Sequence, residues 1–139
     1  LIKDIEILNK LTYTIIGAAI EVHRELGPGL IESIYEKCLI YLLKEKGFTV
    51  VSQQKVPVKF RDLYLDCDLR FDLLVENSII VEIKAVAELL PIHEAQLLTY
   101  LKLMEKPKGI LINFNCTNIF KEGQETIVTG LFAKLPKGY

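Results

Sequence analysis

Residues 70–84, Arg-Phe-Asp-Leu-Leu-Val-Glu-Asn-Ser-Ile-Ile-Val-Glu-Ile-Lys, carry two short apolar runs on either side of a Glu-Asn-Ser turn, the pattern of a β-hairpin. With a three-residue loop Val75 pairs with Ile79. That register sets Asp72 opposite Glu82 and Arg70 opposite Lys84, and period-2 alternation brings Lys84 onto the face of Glu82. Facing carboxylates destabilise an antiparallel pair, so this register calls for something that neutralises them. A divalent cation does so. Hard cations such as Mg²⁺ take oxygen from one or two carboxylates, keep several waters and suit phosphate-ester hydrolysis. A two-residue Asn-Ser loop would send the two acids to opposite faces, so the register decides whether a metal site exists.

The 139 residues predict one domain, residues 1–139, with enough apolar content (50%) for a genuine core and an ordinary charged fraction (25%). No apolar run approaches the roughly 20 residues of a membrane span. The opening Leu-Ile-Lys-Asp lacks a signal-peptide design, so a cytoplasmic location away from the membrane is expected. Cys38, Cys67 and Cys116 are far apart, without a Cys-x-x-Cys pair, and are expected to be reduced, mostly buried small residues. A net charge of −1 is not the footprint of a strongly basic nucleic-acid binder. Acidic metal ligands cancel positive charge in such a total, and a local basic rim survives it.

Before the hairpin, apolar positions from Ile5 through Leu8, Leu11, Ile15, Ala19 and Val22 to Leu26 predict a helix over Asp4 to Leu26, with His23 near its end as a packed imidazole or dipole-favoured cation. Gly27-Pro28-Gly29 breaks it. A second helix follows from Leu30 to Lys46, packing through Ile31, Ile34, Tyr35, Cys38, Leu42 and Leu43, with Glu32 and Glu36 four apart on one face. Strands are predicted at Phe48 to Gln53, Lys55 to Phe60 and Leu63 to Leu65, paired antiparallel through short links, with Pro57 marking an edge or bulge.

Beyond the hairpin, Pro91 opens a third helix, its apolar side formed by Ala95, Leu98 and Leu101 and its polar stripe by His93, Gln96 and Tyr100. Ile110 to Phe114 reads as a central strand buried on both faces, Glu125 to Phe132 as a last strand, and Leu135 to Tyr139 as a loose tail.

Two sets of residues resemble a known family. Asp72 followed by Glu82-Ile83-Lys84 resembles the active-site pattern of the PD-(D/E)xK nuclease superfamily. Gly29-Leu30-Ile31-Glu32-Ser33-Ile34-Tyr35 matches letter for letter the motif that names its GxxExxY family, and the likeness runs from Ile15 to His23 through the hairpin to Ile112-Asn113-Phe114. The resemblance implies an α/β fold: a mixed sheet with a restriction-endonuclease-like αβββαβ core and an extra N-terminal helix, in line with the order α-α-β-β-β-β-α-β-β.

It further implies a metal-dependent nuclease, DNA more than RNA being its substrate. Mg²⁺ or Mn²⁺ would be held by Asp72, Glu82, the carbonyl of Ile83 and Glu32, with Glu36 as the alternative helix ligand. Lys84 would position or help deprotonate the attacking water. Gln96-x-x-x-Tyr100 resembles the third motif of the RecB-like branch and, with Arg70 and His93, supplies the expected substrate contacts. A homodimer is an accompanying expectation. The alternative from another class is a nuclease-like module that binds nucleic acid or a protein partner without turnover.

Overall fold

The computed structural model describes residues 4–138. The opening Leu1-Ile2-Lys3, where no leader was expected, and the end of the predicted tail at Tyr139 lie outside it.

Helix α1 spans Ile5–Leu26, because Asp4 accepts a hydrogen bond from the Ile7 amide at 2.8 Å and so caps it, and because Gly27, at φ 69°, ends it. Its stripe from Leu8 to Val22 is buried as the periodicity predicted. Helix α2, Glu32–Glu45, buries Tyr35, Leu39 and Leu43. The predicted packing residues Ile31 and Ile34 are exposed instead, since Ile31 is the N-cap ahead of the helix and Ile34 lies in its first turn outside the inward stripe that starts at Tyr35.

Five strands form the main sheet in the order β1-β4-β5-β6-β7: β1 Val50–Ser52, β4 Leu73–Val75, β5 Ile79–Lys84, β6 Lys108–Asn113 and β7 Gln124–Val128. Only β5 and β6 run parallel, joined by the crossover helix α3, Pro91–Met104. Odd-numbered residues Leu73, Val75, Ile79, Val81 and Ile83 pack with α1 and α2. The even-numbered Leu74 and Ile80 pack with Leu97, Tyr100 and Leu101 of α3. The two helix layers thus bury both faces of the central strands, giving the expected mixed α/β architecture. Among the described residues no helix is long and apolar enough to cross a membrane.

Several predicted details differ. All five strands read between the second and third helices are present, one more than the expected element order counted, but β2 Val58–Phe60 and β3 Leu63–Leu65 pair only with each other as a separate ribbon. Consecutive pairing fails there: β1 pairs with β4 across the ribbon. The last strand stops at Val128, where Thr129 turns the chain into the short helix α5, Gly130–Ala133. A further short helix, α4 Ile119–Glu122, occupies the connection after β6. The tail is tied down rather than loose, since the Ile5 amide donates to the Pro136 carbonyl at 2.8 Å. Cys67 is exposed, contrary to expectation.

Candidate active site

The hairpin register is the three-residue-loop one: Val75 lies opposite Ile79 and Leu73 opposite Val81. Glu76 and Asn77 both adopt positive φ, and the Ser78 amide closes the turn on the Val75 carbonyl at 3.0 Å. One step further the ladder stops. The chain bends at Asp72, and alternation breaks there, because Phe71 joins the same α3-side cluster as Leu74. The Asp72 carboxylate fills the gap: Oδ2 accepts from the Ile83 amide at 2.8 Å, and Oδ1 from Gln53 Nε2 at 3.1 Å. Two donated hydrogen bonds fix this carboxylate between the strands.

Glu82 stands beside it, 4% exposed, on a sheet face that its parity shares with Ile80 and Tyr100. Burial first, then a hydrogen bond to Asp72 and its negative charge, push the Glu82 carboxyl far above the usual carboxylate range; Lys84 pulls the other way. The two acids thus stand together just past the end of the ladder, with Lys84 as a cation near Glu82. Tyr100 is buried among Leu97 and Leu101, with its phenol raised by burial and by the charge of Glu82. Gln96 Nε2 donates to its hydroxyl at 3.1 Å. The apolar side of α3 is thus turned from the predicted one, with Leu97 buried and Ala95 exposed, and Tyr100 reaches the acids from the core rather than from a polar stripe.

On the other side of Asp72 a cleft of about 210 Å³ is lined by Glu32, Ser33, Glu36, Gln53, Asp72 and Ile83. Both helix acids therefore face the site, but unequally. Gln53 Nε2 donates to Glu36 Oε1 at 2.7 Å and so joins Glu36 to Asp72. Burial, and behind it the charges of Asp72 and Glu32, raise the Glu36 carboxyl above its ordinary range. Glu32 lines the cleft from the exposed first turn. The Gly and the Tyr of the Gly-x-x-Glu-x-x-Tyr motif are structural. Gly29 sits at φ 105°, where a side chain is strained, and Tyr35 stacks on Phe114 at 4.4 Å while its hydroxyl donates to the Gly27 carbonyl.

Two predicted contacts are engaged elsewhere. Arg70 does not face Lys84: the bend at Asp72 carries it to a bridge with Lys55, where it binds Asp68 at 2.7 Å and the Gln53 carbonyl at 2.9 Å. His93 Nδ1 accepts from the Leu90 amide at 3.0 Å, so this ring caps α3.

Two residues of the site were missed by the sequence reading. Gln53, at φ 52°, is held in a costly left-handed conformation by bonds to Asp72, Glu36 and Arg70. Asn113, 3% exposed beside Lys84 in the ladder, clamps the chain after Lys84 by accepting from the Val86 amide and donating to its carbonyl. A Gln closing an apolar run carries no local signal for such a role. The Asn ending a buried apolar strand did offer one, because a buried amide must find partners.

The donor set fits a hard divalent cation. Asp72, Glu82, Glu36 and the Ile83 carbonyl are all oxygen donors, and Glu82 is a buried acid whose charge a cation would neutralise. Among the described residues no three acid, His or Cys side chains converge closely enough to hold a metal by themselves, and Glu36 joins Asp72 only through Gln53.

The family model described as PD-(D/E)XK nuclease superfamily matches residues 9–126. No curated protein and no solved structure matches the chain.

Proposed function

Because the chain belongs to the PD-(D/E)XK nuclease superfamily, we propose that it is a metal-dependent nuclease hydrolysing phosphodiester bonds, with DNA rather than RNA as substrate and Mg²⁺ or Mn²⁺ as its ion. The observation that carries this reading is the bend at Asp72, which sets that carboxylate against the Ile83 amide, beside Glu82 and within one cleft with Glu36. Asp72 and Glu82, with the Ile83 carbonyl, would hold the ion, and a helix acid would complete the set as the cleft closes on it. The link through Gln53 favours Glu36 over Glu32 as that acid. A bound divalent cation supplies Lewis-acid polarisation of the scissile phosphate and a nucleophile at neutral pH.

The remaining work falls to the chain's own side chains. The Ile83 amide and Gln53 hold the Asp72 carboxylate in one orientation. Lys84, on the parity of Glu82, places its ammonium where negative charge develops on the phosphoryl oxygens. Gln96 and Tyr100, hydrogen-bonded to each other over Glu82, orient the phosphate. The Gly29 to Tyr35 resemblance supports membership of the GxxExxY family, and that of Gln96-x-x-x-Tyr100 to the RecB-like motif favours DNA.

The test is a melting titration with Mg²⁺ and Mn²⁺ beside a cleavage panel of single- and double-stranded DNA and RNA. A ligand at about 100 times its Kd adds ~2.7 kcal/mol to stability; wild type should show such a gain and Asp72→Asn should lose it. Equal gains in both proteins refute the site. Metal binding with no cleavage of any substrate replaces the nuclease by the non-catalytic module.

A further inference from the structure

We propose that the β2–β3 ribbon is an arm that grips single-stranded DNA beside the cleavage site, an inference that rests on the nuclease reading above. The ribbon projects from the body with its large side chains in water: Phe60 is 61% exposed, Leu63 56% and Tyr64 76%. A lone two-stranded hairpin is at best marginally stable, so aromatic rings held out on one contribute little to the fold.

The rings are paired with cations. The register sets Lys59 opposite Tyr64 and Phe60 opposite Leu63. Lys59 Nζ lies 5.0 Å from the Tyr64 ring centre, and the Arg61 guanidinium lies 5.3 Å from that of Phe60. Both faces of the ribbon therefore carry an aromatic ring with a positive group against it. Among the described residues neither Lys59 nor Arg61 has an acidic partner, whereas Asp66 and Asp68 are occupied by Lys55 and Arg70. Asp62 follows Arg61 at the turn and forms no ion pair with either cation.

Exposed rings that offer stacking surface, with cations placed for the backbone phosphates, are what single-strand binding uses, and duplex bases are already stacked on one another. A protein partner would favour an apolar patch depleted of lysine, whereas here Lys59 lies against the Tyr64 ring itself. The charges therefore select nucleic acid.

The stem ties the arm to the site. Gln53 precedes it and Asp72 follows it, and the stem is closed by the Lys55–Arg70 bridge and the Val56 amide bonded to the Leu69 carbonyl at 2.7 Å. From Lys55 to Phe60 the chain can reach about 17 Å. The arm is thus rooted between two residues of the site, and a strand seated on it lies within reach of Asp72.

The experiment measures binding of labelled single-stranded and blunt duplex DNA in EDTA, so that nothing is cleaved. It uses wild type, Phe60→Ser with Tyr64→Ser, and Lys59→Gln with Arg61→Gln. Wild type should prefer the single strand. The aromatic double variant should lose at least about tenfold in single-strand affinity, and the charge variant should flatten the salt dependence by about 1.4 in slope. Both should keep the wild-type melting temperature and metal-induced shift, since these side chains are exposed.

Single-strand affinity unchanged in both variants overturns the arm while the cleavage panel, judged separately, leaves the nuclease reading standing. Equal weakening of duplex and single strand overturns the strand preference. Loss of a dimer in sedimentation, with affinity for DNA intact, overturns the arm in favour of a second copy. Wild type that binds no DNA, single or double, overturns the arm as well.

Discussion

Two antiparallel hairpins in this chain are written in similar residues and end in opposite places. β4 and β5 are buried throughout except at Lys84, whereas no residue of β2 or β3 is buried. Val-Lys-Phe and Leu-Tyr-Leu alternate little less hydrophobically than Leu-Leu-Val and Ile-Ile-Val. What separates them is cover. β4 and β5 have strands on both sides and helices on both faces, while the ribbon has neither. Apolar pattern therefore specifies a strand, and the connections around it decide whether that strand becomes core or a projecting surface.

The largest expected effect tests that contrast directly. Ile80→Ala removes a fully buried side chain between sheet and α3 and should cost ~2–5 kcal/mol in chemical unfolding. Phe60→Ala, on the ribbon, should cost less than ~0.5 kcal/mol. A comparable loss at Phe60 would mean that the ribbon is packed in solution, and the contrast would be void.

The hairpins should also differ in how they fail kinetically. Lys84→Ala is expected to lower cleavage by about 10²-fold at saturating metal and substrate, the effect of losing a charge stabiliser, while the metal-induced melting shift remains. Ribbon variants should raise KM and spare kcat. Unchanged cleavage in Lys84→Ala would sink the proposed mechanism.

How much of this was legible follows from where the determining contacts lie. The register from Val75 to Ile79 could be read because two apolar runs and a short turn leave few ways to pair. The bend at Asp72 could not, since no Gly or Pro marks it, and with it went the expected pairing of Arg70 with Lys84. Leu97 and Leu98 are adjacent apolar residues about 100° apart on the helix, so the pattern leaves open which of them faces inward, and burial of Leu97 brought Tyr100 into the core with it. His93 follows Pro91 in the first turn, where a ring nitrogen can answer a free amide as well as a phosphate. Glu32 and Glu36 share a face, and only the long-range partner Gln53 distinguishes them.

That distinction carries a smaller prediction. Glu36→Gln should reduce metal affinity by about tenfold, or ~1.4 kcal/mol, and Glu32→Gln by less, both read from the midpoint of the metal-dependent melting shift. The sequence motif alone ranked them the other way. A larger loss in Glu32→Gln would restore that ranking, and no loss in either would remove α2 from the ligand set.

The smallest effect comes from a second pair of acids on the α3 side of the same sheet. Glu82 pairs with Leu111, and Leu111 with Glu125, so the two glutamates lie in one row two strands apart. Glu125 is raised to about 7, first by its hydrogen bond to Glu94 of α3, then by burial and by the charge of Glu94. The raised value means that the folded protein keeps a proton which the unfolded chain gives up near pH 4.5. This contribution is full below that pH and is lost as pH rises through about 7. Glu125→Gln removes the titrating group and keeps a partner for Glu94. Its melting temperature in metal-free buffer should fall less between pH 5 and pH 8, roughly the span of the transition, than that of wild type. Because this pair lies apart from Asp72, saturating Mg²⁺ should raise both proteins equally and leave the difference in slope intact. A metal response altered by Glu125→Gln would show instead that both acid pairs serve one extended site.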